Sequence, residues 1–587
     1  MRHKNPLHQS SVIVIHPGSY WLRIGRASDP YPVAVPQVIA RRHRGPQQDR
    51  FEEKLLHRNG VDHSGSSTQR EQALKMVEQA IWSRKTSQGH RRENVHTSEI
   101  HSYNDSVSHQ SVDEFTDMSW TNTSDNTDHF VGDQALYLEN SADFSIHWPM
   151  KRGQLNLHSR VGGTISAVIQ DLCTIWGHVL DKSLGIPAGE LKKYRAILLI
   201  PDIYHRPHIK ELVRLLLTHL DFEAAIVHQE SVCATYGSGL CSACVVDVGD
   251  QKTSVCCVED GLSHRNTRVC MTYGGKDITR TFTWLLERAR FPYRECKPEK
   301  TMDALLLVEL KETFCHLDQD FDGIQILDFQ VCYPNQPTLT YQMKLGDETL
   351  QAPMAIFYPQ LFGVVNEKMT FTQQRNQGDP EDIHDELYLL QTQNQQQQAT
   401  KLKTDNGVFM RDDPACIQTN SEGLTLGTVT QRTSSPLIGQ CQGDMLVHAE
   451  EAPPPIISRR ISTSQTLDKP LGLDQAILYS IDCCASDETK KKMYSCILVV
   501  GGGVALFQGA AEMLQQRIQT KMPPSFRRAV DRVEVVCKSK EQDPRVTCWK
   551  GGAVLGYLDT TQELWISRTE WEREGLKLLR ERSPFVW

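Results

Sequence analysis

Three times in this 587-residue chain an apolar, strand-like run breaks into a turn built on glycine: Ile15-His16-Pro17-Gly18-Ser19, Val245-Val246-Asp247-Val248-Gly249-Asp250, and Cys496-Ile497-Leu498-Val499-Val500-Gly501-Gly502-Gly503. A buried strand that hands over to such a turn brings backbone N–H groups to the end of a sheet. There, glycine's missing Cβ lets them approach phosphate oxygens or a planar base. In the first turn the Ser19 hydroxyl adds a donor. In the second, Asp247 and Asp250 stand close enough to face a hydrated Mg²⁺, which takes oxygen ligands and keeps several waters. The third precedes a helix expected from about Ala510 to Ile518. A dinucleotide fingerprint would need glycine where Leu506 stands, and no Gly-Lys-Ser/Thr follows to make a Walker A loop. Each of the first two turns alone fits an ordinary hairpin. Three such turns on three buried strands are more informative together than any one of them alone.

The intervening sequence supports an α/β fold. Strand-like runs at 11–40 are broken by Pro17-Gly18 and Asp29-Pro30, predicting a hairpin-rich opening. Ala196 to Ile200 and Cys244 to Val248 read as buried strands, and Leu212 to Leu220 carries helical spacing. Alternation of this kind from 131 to 360 predicts helices covering mixed sheets. Two polar stretches interrupt it. Residues 45–129 are rich in Ser, Thr, Asn, Asp, His and Gln and are expected to be a mobile insertion, apart from a helix over Gln69 to Arg84 marked by Leu74, Val77, Ala80 and Ile81. Residues 365–468, with the glutamine run Gln395 to Gln398 and the prolines at 453–455, read as a disordered, low-complexity insertion.

The net charge of -8 excludes a globally basic nucleic-acid binder but leaves room for a local patch. Candidates are Arg41-Arg42-His43-Arg44 and Lys490-Lys491-Lys492, which read first as solvated charge and second as DNA contacts. The 17 cysteines are odd in number and scattered, with adjacent pairs at Cys256-Cys257 and Cys483-Cys484, which predicts a reducing compartment and no disulfide framework. Cys241 and Cys244 lack a second ligand pair for zinc. No run is long enough for a membrane span, and Val12 to Ile15 is too short for a signal peptide, so a soluble, intracellular protein is expected. Trp565 and Trp571 read as packing residues.

The first two turns resemble the β-hairpin phosphate loops of the actin, sugar-kinase and heat-shock ATPase superfamily, and the third resembles its adenosine loop. Trp549-Lys550-Gly551-Gly552-Ala553-Val554 and Glu563-Leu564-Trp565-Ile566-Ser567-Arg568 resemble actin's carboxy-terminal block. Val131-Gly132-Asp133-Gln134-Ala135 and Glu348-Thr349-Leu350-Gln351-Ala352-Pro353 are similar to other actin segments. The chain is therefore identified as a member of the actin superfamily: an α/β, actin-like ATPase-domain fold of two lobes, four subdomains and a duplicated mixed sheet, with two long polar insertions. The resemblance assigns 11–44 and 130–243 to lobe 1, 244–364 and 469–543 to lobe 2, and 544–587 to a return to lobe 1. It implies nucleotide contacts from Gly18, Ser19, Tyr20, Arg23, Asp247, Val248, Gly249, Asp250, Gly501, Gly502 and Gly503. The cofactor implied is ATP or ADP, with Mg²⁺ held through water by Asp247 and Asp250.

Among the actin-related proteins, similarity is strongest at His16-Pro17-Gly18-Ser19 with Leu22-Arg23-Ile24-Gly25-Arg26, at Val246 through Thr253, at Lys521 through Arg528, and at the ending Phe585-Val586-Trp587. It points to nuclear subunits of chromatin remodellers of the INO-eighty (inositol-requiring) class. The partners implied are a Snf2-type motor subunit, actin and other actin-related proteins, histones and DNA, and the processes are transcription regulation, DNA repair and recombination. Departures from actin bear on chemistry. His16 replaces a metal-facing aspartate, Tyr20 a loop glycine, and Arg23 a phosphate-facing lysine. The positions of the glutamine and histidine that place actin's attacking water fall to Glu230 and Ser254. Hydrolysis needs that water in line with the γ-phosphate, so nucleotide binding with weak or no turnover is expected. Glu230 is the one candidate base, and no other catalytic residue is assigned. Two alternatives are an active ATPase driving conformational change and a cytoplasmic filament-associated relative.

Overall fold

The computed structural model describes residues 9–43, 52–56, 64–83, 97–112, 119–124, 127–321, 323–364, 369–373, 464–466, 470–537 and 543–585. The glutamine run, the proline run and Arg44 lie outside them. The first lobe is built on β1 (Val12–Pro17), β2 (Trp21–Arg26), β3 (Val33–Pro36), β4 (Arg195–Ile200) and β5 (Ala224–Gln229). They form a six-stranded sheet in the order Ile566–Ser567, β5, β4, β1, β2, β3. β1 pairs antiparallel with β2 and parallel with β4, with Ile15 opposite Leu198. Parallel strands are covered on both faces, which is why β1 reads as an unbroken apolar run. Its alternate residues serve two cores: Ile13 and Ile15 pack outward under the helix Ile165–Lys182, while Val12 and Val14 face the centre of the molecule.

The second lobe repeats this plan with β6 (Ser242–Val248), β7 (Thr253–Glu259), β8 (Val269–Met271) and β9 (Ile497–Val500). β6 pairs antiparallel with β7 and parallel with β9, just as β1 does with β2 and β4. The duplicated mixed sheet inferred from resemblance is thus present, and the hairpins β1–β2 and β6–β7 are equivalent elements of its two halves.

The lobes share a central core. Val14 and Leu199 from one sheet and Val245 and Leu498 from the other pack in one cluster with α1 (Glu230–Ser238) and a C-terminal helix, Thr547–Leu555. The two helices cross closely. A Cβ on Gly551 would lie 1.7 Å from the Cys233 carbonyl oxygen, and one on Gly237 2.1 Å from that of Thr547. Trp549, fully buried, donates its indole N–H to the Val14 carbonyl at 3.1 Å.

The polar segment 45–129 departs from expectation. Its helix is longer than predicted, Ser64–Trp82, and a second helix, Thr97–Ser106, and a strand, Gln110–Val112, accompany it. The strand adds to Thr338–Leu345 of the second lobe, with Val112 opposite Thr338. Leu74, Val77 and Ile81 are buried, and Arg70 is buried with its guanidinium 4.1 Å from the Trp284 ring and its Nε–H donated to the Leu361 carbonyl. Asn104, also buried, donates to the carbonyls of Ala289 and Lys344 and accepts from the Lys344 N–H. The segment leaves the first lobe after Ile39–Arg42 and returns at His129–Val131, which pairs with that same strand. It is therefore a strap from the first lobe onto the second and back. A sparse apolar stripe was sufficient because edge-strand pairing and buried polar anchors complete the docking.

Among the described residues no helix is long and apolar enough to cross a membrane, and every described cysteine is a free thiol. The helix read at Leu212 to Leu220 begins earlier, at Arg206, and its last turn, Leu215–His219, widens to π geometry.

Candidate functional site

All three glycine turns meet at one cleft of about 340 Å³. Each hairpin turn is closed by its own backbone: Gly18 N–H donates to the Trp21 carbonyl at 2.9 Å, and Gly249 N–H to that of Lys252 at 2.8 Å. The third turn is tied to the second by Gly503 N–H donating to the Val248 carbonyl at 2.8 Å. Gly501 has φ of +86°, and a Cβ there would sit 2.6 Å from Asp247 Oδ1, so only glycine allows this approach.

Of the residues expected to meet a nucleotide, Gly18, Ser19, Tyr20, Arg23, Asp247, Gly249, Asp250, Gly501, Gly502 and Gly503 line this cleft, together with His16 and Glu230. Val248 does not: its side chain is buried, and it contributes only its carbonyl to the loop above. The Ser19 hydroxyl accepts the Gly153 N–H at 3.1 Å. Tyr20 packs on Trp148 and Trp21 with ring centroids 5.2 and 5.0 Å away, and it also lines a neighbouring cavity of about 400 Å³. Burial, with Asp250 nearby, keeps its phenol protonated far above neutral pH.

The acidic residues of the cleft are buried and matched by cations. Glu230 is the first residue of α1, where the helix dipole favours a carboxylate. One of its oxygens accepts from the Lys252 ammonium, and the other lies 3.2 Å from His16 Nε2. Burial alone would raise its pKa, but Lys252 and His16 hold it well below the usual carboxylate range. Burial raises Asp247, opposed chiefly by Lys252. Burial also raises Asp250, opposed by Lys276 and Lys311. The expected lone carboxylate at Glu230 is instead the acceptor of an ion pair between the lobes. A carboxylate held ionised in this way is a weak proton acceptor.

Sequence reasoning missed Lys252, Lys311, Glu312, Phe507 and Arg545 among the lining residues. Lys311 carried a signal, since it falls four residues after Leu307 on the buried face of the helix Thr301–Phe314. A lysine at such a position needs a partner. Lys252 carried none, because a turn residue's direction is set by the loop.

The residues fit a nucleotide. Asp250 Oδ2 is buried without a hydrogen-bond partner, the glycine loops leave a backbone-lined cradle, and Leu506 and Phe507 supply apolar surface at its rim. For a directly ligated divalent cation the fit is poor: among the described residues no group of three or more His, Cys, Asp or Glu side chains could hold a metal ion, and Asp247 and Asp250 lie in the field of Lys252, Arg23, Lys276 and Lys311, which compete with a metal held through water. Ser254, at the histidine's place, is buried with its hydroxyl unpartnered.

Four of the basic side chains singled out in the sequence are committed within the chain. Arg41 pairs with Asp171 at 2.6 Å, Arg42 donates to the carbonyls of Thr123 and Thr127, and Lys490 and Lys492 pair with Asp482 and Glu259. Trp565 and Trp571 are buried, as packing residues should be.

The family model described as Actin matches residues 7–397 and 442–584. Actin-related protein 8 of Salmo salar is 54% identical over 589 residues, spanning 99% of this chain and 93% of its own length. The Homo sapiens protein of the same name is 53% identical over 585 residues, with the same coverage. The solved structure of human actin-related protein Arp8 in its ATP-bound state superposes with a TM-score of 0.81 at 48% identity, covering 99% of this chain and 98% of that one. The chain belongs to the actin family, in its actin-related protein 8 branch.

Proposed function

We propose that this protein holds ATP as a structural ligand with little or no hydrolysis, and serves as a nuclear scaffold subunit of an INO-eighty-type chromatin remodeller. The observation that carries the first part is the state of Glu230. The residue at the water-placing position is ion-paired to Lys252 and hydrogen-bonded to His16, and Ser254 replaces the second water-placing group with a hydroxyl that cannot accept a proton as imidazole does. The glycine cradle and Asp250 would hold the phosphates and ribose. ATP itself would supply a polyanion that both hairpins grip, fastening the lobes and stabilising the fold through linkage.

The second part rests on membership of the branch and on the strap, which covers an edge strand of the second lobe and makes copolymerisation with actin unfavourable. Within the assembly the partners are a Snf2-type motor subunit, actin, other actin-related proteins and histones. Contact with DNA is made through the assembly, since Arg41 and Lys490 are already paired within the chain. Affinity purification of the tagged full chain from nuclei tests this: the motor subunit and actin should co-purify at near-equal amounts. Recovery of neither would overturn the assignment.

A further inference from the structure

We propose that Lys252, with Arg23, is a resident cation that takes over the charge-neutralising work of a divalent metal, so that this cleft binds ATP independently of Mg²⁺. The inference rests on the nucleotide reading above and deepens it.

Hard divalent cations select oxygen sites carrying excess negative charge. This cleft has none to offer. The charged side chains that line it are four acids (Glu230, Asp247, Asp250, Glu312) and four bases (Arg23, Lys252, Lys311, Arg545), so they cancel. The cancellation is also local. Glu230 accepts from Lys252, Asp247 lies in the field of Lys252 and Arg23, and Asp250 in that of Lys276 and Lys311. His16 puts a nitrogen where actin has a metal-facing aspartate, which removes one negative charge.

The cations in that balance are fixed in place. Lys252 is 7% exposed, and its side chain lies against Gly153, where even a Cβ would come within 2.9 Å of Lys252 Cδ. Its ammonium is held by Glu230 from the opposite lobe. An ammonium on a packed stem is a point charge of the kind that binds phosphate. Lys252 closes the turn that begins at Gly249, three residues on, and its charge lies beside Asp247. A terminal phosphate entering the cleft therefore meets positive charge already in place.

The test uses the full-length protein stripped of nucleotide and titrated with a fluorescent ATP analogue, once in Mg²⁺ and once in EDTA. The expected result is a Kd that differs less than about threefold between the two buffers. Weakening of tenfold or more in EDTA would overturn the proposal. Lys252→Met should weaken binding at least tenfold in EDTA, while Lys252→Arg, which keeps the cation and guards against a folding defect, should stay within about threefold of the parent. Unchanged affinity of a folded Lys252→Met protein in EDTA would also overturn it. Failure to bind in either buffer would instead remove the nucleotide reading beneath it.

Discussion

Replacing Asn104 by alanine should detach the strap without unfolding the lobes. Asn104 sits in the helix Thr97–Ser106 at 2% exposure and makes three hydrogen bonds to the second lobe: to the Ala289 carbonyl at 2.8 Å, to the Lys344 carbonyl at 2.9 Å, and from the Lys344 N–H at 2.7 Å. At about 1 kcal/mol net for each bond, with the Lys344 groups part-buried and the Ala289 bond fully buried, the loss is about 3 kcal/mol. The surface ion pairs nearby, Asp105 with Arg290 and Arg294, contribute little in comparison. Because the strap reaches the second lobe as a separate layer, this energy comes from local docking and not from the global fold. Amide hydrogen exchange read by mass spectrometry should show peptides covering 97–112 exchanging about 100-fold faster, while β1 and β6 keep their protection. Unchanged exchange in the strap would refute the reasoning. An equal acceleration in β1 would refute it too, since it would make the strap part of the global cooperative unit.

Two more perturbations test other levels. Gly551→Ala places a methyl against the Cys233 carbonyl, a backbone group that cannot rotate away, and should lower the urea unfolding free energy by at least about 3 kcal/mol; parental stability would show that the two crossing helices can separate. His228 is buried, stacked on Phe585, and accepts the Gln229 N–H at its Nδ1, so protonation would lose that bond. Burial lowers its pKa to about 4. A histidine with its folded pKa below its unfolded one leaves the unfolded chain binding more protons, so its contribution is full above about pH 6.5 and fades as pH falls toward 4. Stability measured across that window should fall less steeply for His228→Gln than for the parent, and identical slopes would contradict this.

The site's skeleton was legible because its loops obey local rules. A strand, a turn and a glycine where backbone must approach backbone are written in consecutive residues, as at Gly18, Gly249 and Gly501. The duplicated sheet came from the resemblance to actin that these turns and the carboxy-terminal block carry. What could not be read is the charge state of the cleft. Glu230 and Lys252 are 22 residues apart and belong to different lobes, so their pairing exists only after β5, α1 and the β6–β7 hairpin have been placed. Without Lys252, Glu230 looks like an isolated base, which is the opposite of its structural role. The strap failed to show for a different reason. Its apolar content is too low to predict order, and its docking depends on the open edge of Thr338–Leu345 and on the buried Arg70 and Asn104, which a local pattern does not reveal.

The central claim, an ATP held and not spent, is tested most directly by the nucleotide itself. Full-length protein loaded with ATP in Mg²⁺ and held at working temperature can be denatured at intervals and its bound nucleotide separated by chromatography. The account predicts close to one nucleotide per chain, still ATP after hours. Steady conversion of the bound pool to ADP, at a rate like that of monomeric actin, would contradict it.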